Sequence, residues 1–315
     1  MRNRYSKILV TGGAGFIGSH IVDRLIKDGF QVAVIDNLHT GNMENLVEHI
    51  GNKNFQFIKG DIRDVDLLQS ALKDIDAVFH EAAQTNIQLS LENPLLTNDV
   101  NVNGTLNLLK TCLEFSVKRL IYASSAAIYG DTNDLPIKEQ TKNAPTSPYG
   151  VSKLASEKYI EVFHNIFDLE TVCLRYFNVY GPRQANNEYS GVITKFTKQL
   201  VEGNPPTIYG DGDQIRDFVN IKDIVDANML SLYKKNAVGE IFNIAFGQPI
   251  TINYLSKTLQ QILGREELEP IHLNPKPGDI RYSYADINKA KTTLNYNPKV
   301  KLFEGLSEFI EHLTS

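Results

Sequence analysis

Residues 7–20 read KILVTGGAGFIGSH: a short aliphatic run, a glycine-rich turn and the opening of an amphipathic segment. Gly13, Gly15 and Gly18 satisfy G-x-G-x-x-G, and Gly12, Gly15 and Gly18 satisfy the wider G-x-x-G-x-x-G. A strand that passes through such a turn into a helix brings bare backbone and a helix N-terminus to one point, which is what a pyrophosphate needs. The next apolar run, QVAVID (Gln31–Asp36), ends in a carboxylate where an adenosine ribose 2′-hydroxyl would need an acceptor. A 2′-phosphate would be repelled there, and Asn37, Leu38 and His39 supply no arginine to receive one. NAD is therefore expected over NADP.

The same rhythm continues downstream. Phe55–Lys59, Asp76–His80, Arg119–Ser124 and Thr171–Tyr176 read as strands rich in Val, Ile and aromatics. Between strands, Phe16–Lys27, Thr97–Phe115 and Tyr149–Phe167 carry apolar residues at three- and four-residue spacing. Strands that are apolar on both faces and alternate with helices predict an α/β fold, a doubly wound parallel sheet of the Rossmann type. After Tyr176 the rhythm gives way to loops rich in Gly, Pro and Asn, interspersed with shorter helices. We expect a dinucleotide-binding domain over 1–176 and a smaller α/β lobe over 177–315. The two should be interleaved, because a late strand-like run near 240–245 (EIFNIA) is placed to return to the main sheet. The charged stretch REELE (Arg265–Glu269) reads as a solvated helix end.

Composition narrows the function. Lys plus Arg number 32 against 37 Asp plus Glu, a net charge of −5, so a general binder of nucleic-acid phosphates is not expected. No apolar run is long enough to span a bilayer and the N-terminus lacks a secretory h-region, so no membrane partner and a cytoplasmic location are expected. Cys112 and Cys173 lie far apart in apolar stretches and read as buried thiols; with seven histidines at no paired spacing, no metal site is expected.

Past the third and fourth strands, Asp61 in the GDI triplet is placed either to accept from an adenine amino group, with Ile62 against its ring, or to cap the helix that follows. Ala82, Ala83 and Gln84 would let the cofactor pass. Tyr149 and Lys153, four apart at the start of a helix, share one face. An ammonium and a positively charged nicotinamide both favour the phenolate, which would bring Tyr149 toward working pH as a base. Ser125, at the carboxyl end of the fifth strand, stands where open α/β sheets bind ligands and where its hydroxyl can pass a proton to Tyr149.

With these residues in hand, the sequence resembles the extended short-chain dehydrogenase/reductase family and, within it, the NAD-dependent nucleotide-sugar epimerases. The matching stretches are TGGAGFIGSH (11–20), VID (34–36), GDIRD (60–64), FHEAAQ (79–84), NVNGTLNLL (101–109), SSAAIYG (124–130), PYGVSK (148–153), RYFNVYGPRQ (175–184), IYGDGDQIRDFV (208–219) and PGDIRYSYADINKA (277–290). The resemblance implies a catalytic set of Ser125, Tyr149 and Lys153. It implies NAD contacts from Gly12, Gly15, Phe16, Ile17, Gly18, Asp36, Asn37, Asp61, Ile62, Ala82, Ala83, Gln84, Asn101, Ser124 and Tyr176, as well as Tyr149 and Lys153. In the second lobe it implies a UDP-sugar: Asn178 and Arg216 on the diphosphate, Ile208 and Tyr209 on the uracil, Asp279 near the ribose, with Val192 and Lys276 alongside. Lys276 stands where many relatives have Arg, with Arg281 in reach to compensate; Arg216 has the plainer alternative of a loop ion pair with Asp213 or Asp217.

The implied reaction is UDP-hexose 4-epimerisation through a 4-keto sugar, with tightly held NAD. Dehydratases and decarboxylases of the same family carry carboxylates just after the strand-end Ser or Thr, where this chain has Ala126 and Ala127. UDP-glucuronate 4-epimerisation is a further alternative, and a non-enzymatic NAD sensor would not need Ser125, Tyr149 and Lys153 together. Ser283, four positions after Asp279, matches a wall position where Tyr goes with plain hexoses and a small residue with N-acetylated ones, unless it merely faces solvent beside Tyr282 and Tyr284. The resemblance also implies a homodimer through a four-helix bundle of Thr97–Phe115 and Tyr149–Phe167, although Leu106, Leu109 and Leu113 serve equally as core.

Overall fold

The computed structural model describes residues 4–184, 191–275 and 280–314. Its first half runs β1 (Lys7–Thr11), α1 (Phe16–Lys27), β2 (Gln31–Asp36), β3 (Phe55–Lys59), α2 (Val65–Ala71) and β4 (Ala77–His80). It continues through α3 (Ile87–Glu92), α4 (Pro94–Asn98), α5 (Gly104–Glu114), β5 (Arg119–Ser125), α6 (Pro148–Phe167) and β6 (Glu170–Tyr176). The second half runs β7 (Asn178–Tyr180), α7 (Val192–Val201), β8 (Thr207–Tyr209), β9 (Ile215–Arg216), β10 (Phe218–Asn220), α8 (Ile221–Tyr233) and β11 (Glu240–Ile244). After these come β12 (Ile250–Thr251), α9 (Ile252–Leu263), β13 (Ile271–Leu273), β14 (Tyr282–Ser283) and α10 (Leu302–Thr314).

Seven strands pair in parallel in the order β11-β6-β5-β4-β1-β2-β3. Ile8, Leu9 and Val10 of β1 are fully buried, as an apolar strand between two helical layers must be. The chain leaves β1 toward β2 and β3, then crosses back to β4 on the other side of β1. The crevice beyond the carboxyl ends of β1 and β4 is thus the topological switch point, where this architecture takes its ligands.

The late strand does return: Glu240–Ile244 pairs in register with Val172–Tyr176, so the segment after Tyr176 supplies the sheet's outermost strand. It also supplies α8, which packs against α1 with Arg24 and Asp226 paired at 2.8 Å. The remainder forms short strand pairs around α7, α9 and α10, with Phe196, Leu200, Ile208, Leu255, Leu259, Leu306 and Phe309 at their centre. Asp217 ties the two parts together by accepting backbone N–H groups from Phe246, Gly247 and Ala285 at 3.0–3.2 Å.

Two local expectations change. The helix read as Thr97–Phe115 begins at Pro94 and loosens into a π-helical turn over Asp99–Asn103 before α5. The REELE segment is an exposed loop beyond α9, because Gly264 at φ +62° ends the helix first. Of the leucines read as interface or core, Leu109 lies fully in the core, and exposed apolar residues form a strip on α6 (Val151, Val162, Ile166) and on α3 and α4 (Leu91, Leu95). No helix among the described residues is long and apolar enough to cross a membrane.

Candidate active site

The switch-point crevice opens into a cleft of 1140 Å³. Its floor is the glycine turn. Gly12 sits at φ +68°, and a Cβ there would come within 2.7 Å of the Ala82 amide nitrogen; one at Gly18 would meet the Gly12 carbonyl at 2.2 Å. Two glycines are thus required by close approach of backbone. Gly15 at the N-cap of α1 has no side chain to cap it, and among the described residues no other side chain is seen to do so, so the amides of the first turn are left to face the cleft. Phe16 and Ile17 form the adjoining wall.

Asp36 ends β2 with its carboxylate fixed at both oxygens, by Ala14 N–H at 2.9 Å and Leu38 N–H at 2.8 Å. Burial pushes this carboxyl up from its ordinary value, and the two amides pull it partly back. Asp61 and Asn37 close the same end, joined at 2.9 Å. Arg63 forks onto Asp61 and also reaches Asp99 at 2.8 Å, holding the Asp61 carboxyl down at about 2. Asp61 does not cap the following helix: that acceptor is Asp64, which bonds Leu67 N–H at 3.1 Å. Arg63 spends its guanidinium on two carboxylates, leaving a ribose 2′-phosphate without a fork here. Uncapped amides, bare glycine backbone and a fixed carboxylate fit NAD.

Ala82, Ala83 and Gln84 line the cleft past β4, and Ile62 enters it from above the Gly104 backbone of α5. Asn101 is not on the cleft wall. The π turn aims its amide at Gln84, whose N–H it accepts at 2.7 Å and whose carbonyl it donates to at 2.9 Å, while a second N–H reaches Ser152 Oγ. It secures the Gln84 loop to α6.

Helix α6 begins at the Ser147-Pro148 pair: Ser147 Oγ accepts from Gly150 N–H at 3.1 Å, and Pro148 takes the first helical position. That start puts Tyr149 and, one turn on, Lys153 against the carboxyl end of β5. Lys153 Nζ donates to the Ala123 carbonyl at 2.8 Å and lies 4.9 Å from the centre of the Tyr122 ring. Burial brings the ammonium down to about 8. Ser125 stands beside Tyr149, and its hydroxyl favours the phenolate. The phenol itself is pushed up, chiefly by burial and further by Glu81, with Ser125 opposing. The protein's own groups therefore hold Tyr149 protonated, contrary to the expected lowering; the remaining pull toward phenolate falls to a cationic nicotinamide.

Beneath Ser125, Ser124 Oγ donates to Glu157 at 2.9 Å, and Glu157 receives the Arg175 guanidinium in a fully buried pair. Arg175 continues to Tyr129 Oη at 2.7 Å and the Glu139 carbonyl at 2.9 Å. Of this network only Ser124 is pointed to by the sequence, as a cofactor contact, and Asp217 only as a possible partner of Arg216. Glu81 was also passed over, although FHEAAQ places a carboxylate directly after a buried strand at the sheet edge that carries Ser125. Its signal was available; those of Glu157 and Arg175 lie in the pairing of α6 with β6.

In the second lobe, Asn178, Arg216 and Ser283 come together. Asn178 donates to the Asp217 carbonyl next to Arg216, and Ser283 pairs with Arg216 in the β14–β9 register, half-buried. Asp217 is occupied by backbone amides and Asp213 by Asn253 Nδ2 at 3.1 Å. Tyr209 is one-third exposed, but the Ile208 side chain is spent on the lobe's core, and Val192 packs against that same core. Arg281 does not stand ready to compensate for Lys276: it is forked on Asp211 at 2.6 and 2.9 Å. Lys276 and Asp279 lie outside the described residues.

Comparison with known proteins agrees with this geometry. Residues 8–245 match the NAD dependent epimerase/dehydratase family. The chain is 41% identical to a putative UDP-glucose 4-epimerase of Methanocaldococcus jannaschii, over 96% of this chain and 97% of that one. Among solved structures it is similar to the UDP-glucose 4-epimerase of Thermotoga maritima with UDP-glucose (TM-score 0.92, 41% identity, 98% of each chain). It is similar too to the UDP-N-acetylglucosamine 4-epimerase of Methanobrevibacter ruminantium in complex with UDP-N-acetylmuramic acid (TM-score 0.93, 40% identity, 98% of each chain). Fold, cleft and relatives together place the chain in the NAD dependent epimerase/dehydratase family, as an NAD-using isomerase of the nucleotide-sugar epimerase branch.

Proposed function

We propose that the chain is a UDP-hexose 4-epimerase that accepts UDP-GlcNAc and UDP-GalNAc as well as UDP-Glc and UDP-Gal. The observation that carries the reading is the convergence of Ser125, Tyr149 and Lys153 on the cleft that holds the glycine turn, with Ala126 and Ala127 following Ser125. Tyr149 takes the proton from the sugar C4 hydroxyl and later returns it to the C4 oxygen. Lys153, anchored on the Ala123 carbonyl, keeps a positive charge beside that exchange, and Ser125 orients the hydroxyl. NAD, when bound along Gly12–Gly18 and Asp36, supplies a reversible two-electron oxidation at C4. Arg216 and Asn178 would hold the nucleotide diphosphate while the sugar presents its other face.

Ser283 supports the wider substrate range. A serine beside Arg216 in place of an aromatic ring leaves room on the scale of an acetamido group, and a wall excludes a larger ligand by clashing with it. The open apolar strip on α6, α3 and α4 supports a homodimer, assembled through α6 but with the α3–α4 face rather than Leu109 as its companion.

The test is incubation of the purified protein with UDP-Glc, UDP-GlcNAc and UDP-GlcA separately, without added NAD, followed by separation of the products. Interconversion of both UDP-Glc/UDP-Gal and UDP-GlcNAc/UDP-GalNAc is expected. A 4-keto-6-deoxy or decarboxylated product would move the chain to the dehydratase or decarboxylase reading, and conversion of UDP-GlcA alone to the uronate reading.

A further inference from the structure

Glu81 follows β4 directly, and the register His80↔Tyr122 sets it beside Ala123 of β5. Ala123 is the residue whose carbonyl holds the Lys153 ammonium. On the far side, Tyr176 at the end of β6 donates its O–H to Glu81 Oε1 at 3.0 Å and itself receives Asn228 Nδ2 at 2.7 Å. The Asn228–Tyr176 pair thus swings the carboxyl group across the end of β5, into the cleft that Tyr149 and Lys153 also line. We propose that Glu81 is a positioning residue for the epimerase reaction: a carboxylate that keeps Lys153 an ammonium and Tyr149 protonated until substrate and cofactor are both in place. The inference rests on the Tyr149–Lys153 reading above.

The groups facing Glu81 are few. Lys153 and Tyr149 come from α6, and Tyr176 from β6; Tyr122 of β5 lies under the Lys153 ammonium. His80, its neighbour on β4, is turned to Thr11 and Thr105 and does not share the cleft. Burial raises the Glu81 carboxyl to about 7, against the pull of Tyr176 and Lys153. A negative charge among these groups favours protons on all of them, so removing it lowers the ionisation midpoints of Tyr149 and Lys153 together.

The experiment is an ultraviolet difference titration of the Tyr149 phenolate in NAD-loaded protein, with Tyr149→Phe as blank, alongside the pH profile of kcat. Glu81→Gln keeps an acceptor for Tyr176 and removes the charge; Glu81→Asp keeps the charge. In Glu81→Gln the phenolate midpoint and both limbs of the profile are expected to move to lower pH by about one unit, tenfold in ionisation constant, while Glu81→Asp stays near wild type. A Glu81→Gln protein whose rate is lower but whose midpoints are unmoved would show a purely structural role and overturn the proposal. Equal shifts in Glu81→Asp would do the same. Absence of any Tyr149 titration in the wild type would refute the Tyr149 reading itself, and Glu81's role with it.

Discussion

Glu157→Gln removes one charge from the buried pair under the catalytic edge and changes little else, since the amide is nearly the same size. Arg175 and Glu157 are 2% and 0% exposed, so water cannot take over the abandoned guanidinium. Ser124 and Arg175 would both be left bonding a weaker acceptor. Breaking a buried pair from one side costs about 3–5 kcal/mol, because the remaining charge stays desolvated. For 315 residues the unfolding entropy is about 0.7 kcal/mol per degree. The apparent Tm should therefore fall by about 5–8 °C. The assay is thermal unfolding by circular dichroism of both proteins at one fixed NAD concentration and scan rate. Glu161→Gln serves as control: Glu161 pairs with Lys158 on the surface of the same helix, both half-exposed, and should move Tm by about 1 °C or less. A Glu157→Gln protein that melts within about 2 °C of wild type would refute the argument that the buried charge pair is structurally required.

Tyr149→Phe should reduce turnover by about 10²–10⁴-fold while NAD remains bound, checked by kcat and by cofactor content after gel filtration. Ser283→Tyr should abolish turnover of the N-acetylated pair selectively; an unchanged ratio of kcat/KM between UDP-GlcNAc and UDP-Glc would show that position 283 does not set sugar size. Light scattering at micromolar concentration should give a dimer mass, and Ile166→Glu on the exposed α6 strip should shift it toward the monomer.

The parts of the molecule most legible beforehand were those where local chemistry and tertiary need agree. The glycine turn and Asp36 are read from adjacent residues, and α1 spans Phe16–Lys27 as its periodicity predicts. Tyr149 and Lys153 are separated by one helical turn, so their shared face follows from spacing alone. What stayed hidden depends on elements meeting across the sheet. The π turn at Asp99–Asn103 is invisible to a 3.6-residue period, yet it turns Asn101 from the cleft toward Gln84 and Ser152. Asp61 and Asp64 are equally good helix caps by type; α2 starts at Val65, so Asp64 serves, while Asp61 is taken by Arg63. Burial, likewise, reverses the expected direction for Tyr149, because desolvation opposes the anion before any cation arrives.

The parallel pairing of β11 with β6 has a consequence for synthesis. As the chain leaves the ribosome, β6 is complete at Tyr176, but its partner is not made until Glu240–Ile244 has emerged. At about 5–20 residues per second that interval lasts roughly 3–14 s. Throughout it, Val172, Leu174 and Tyr176 stand on a bare sheet edge, the kind of surface that recruits other strands. Fragments cut between 177 and 239 should therefore be collected as aggregates, however intact their glycine turn and catalytic helix.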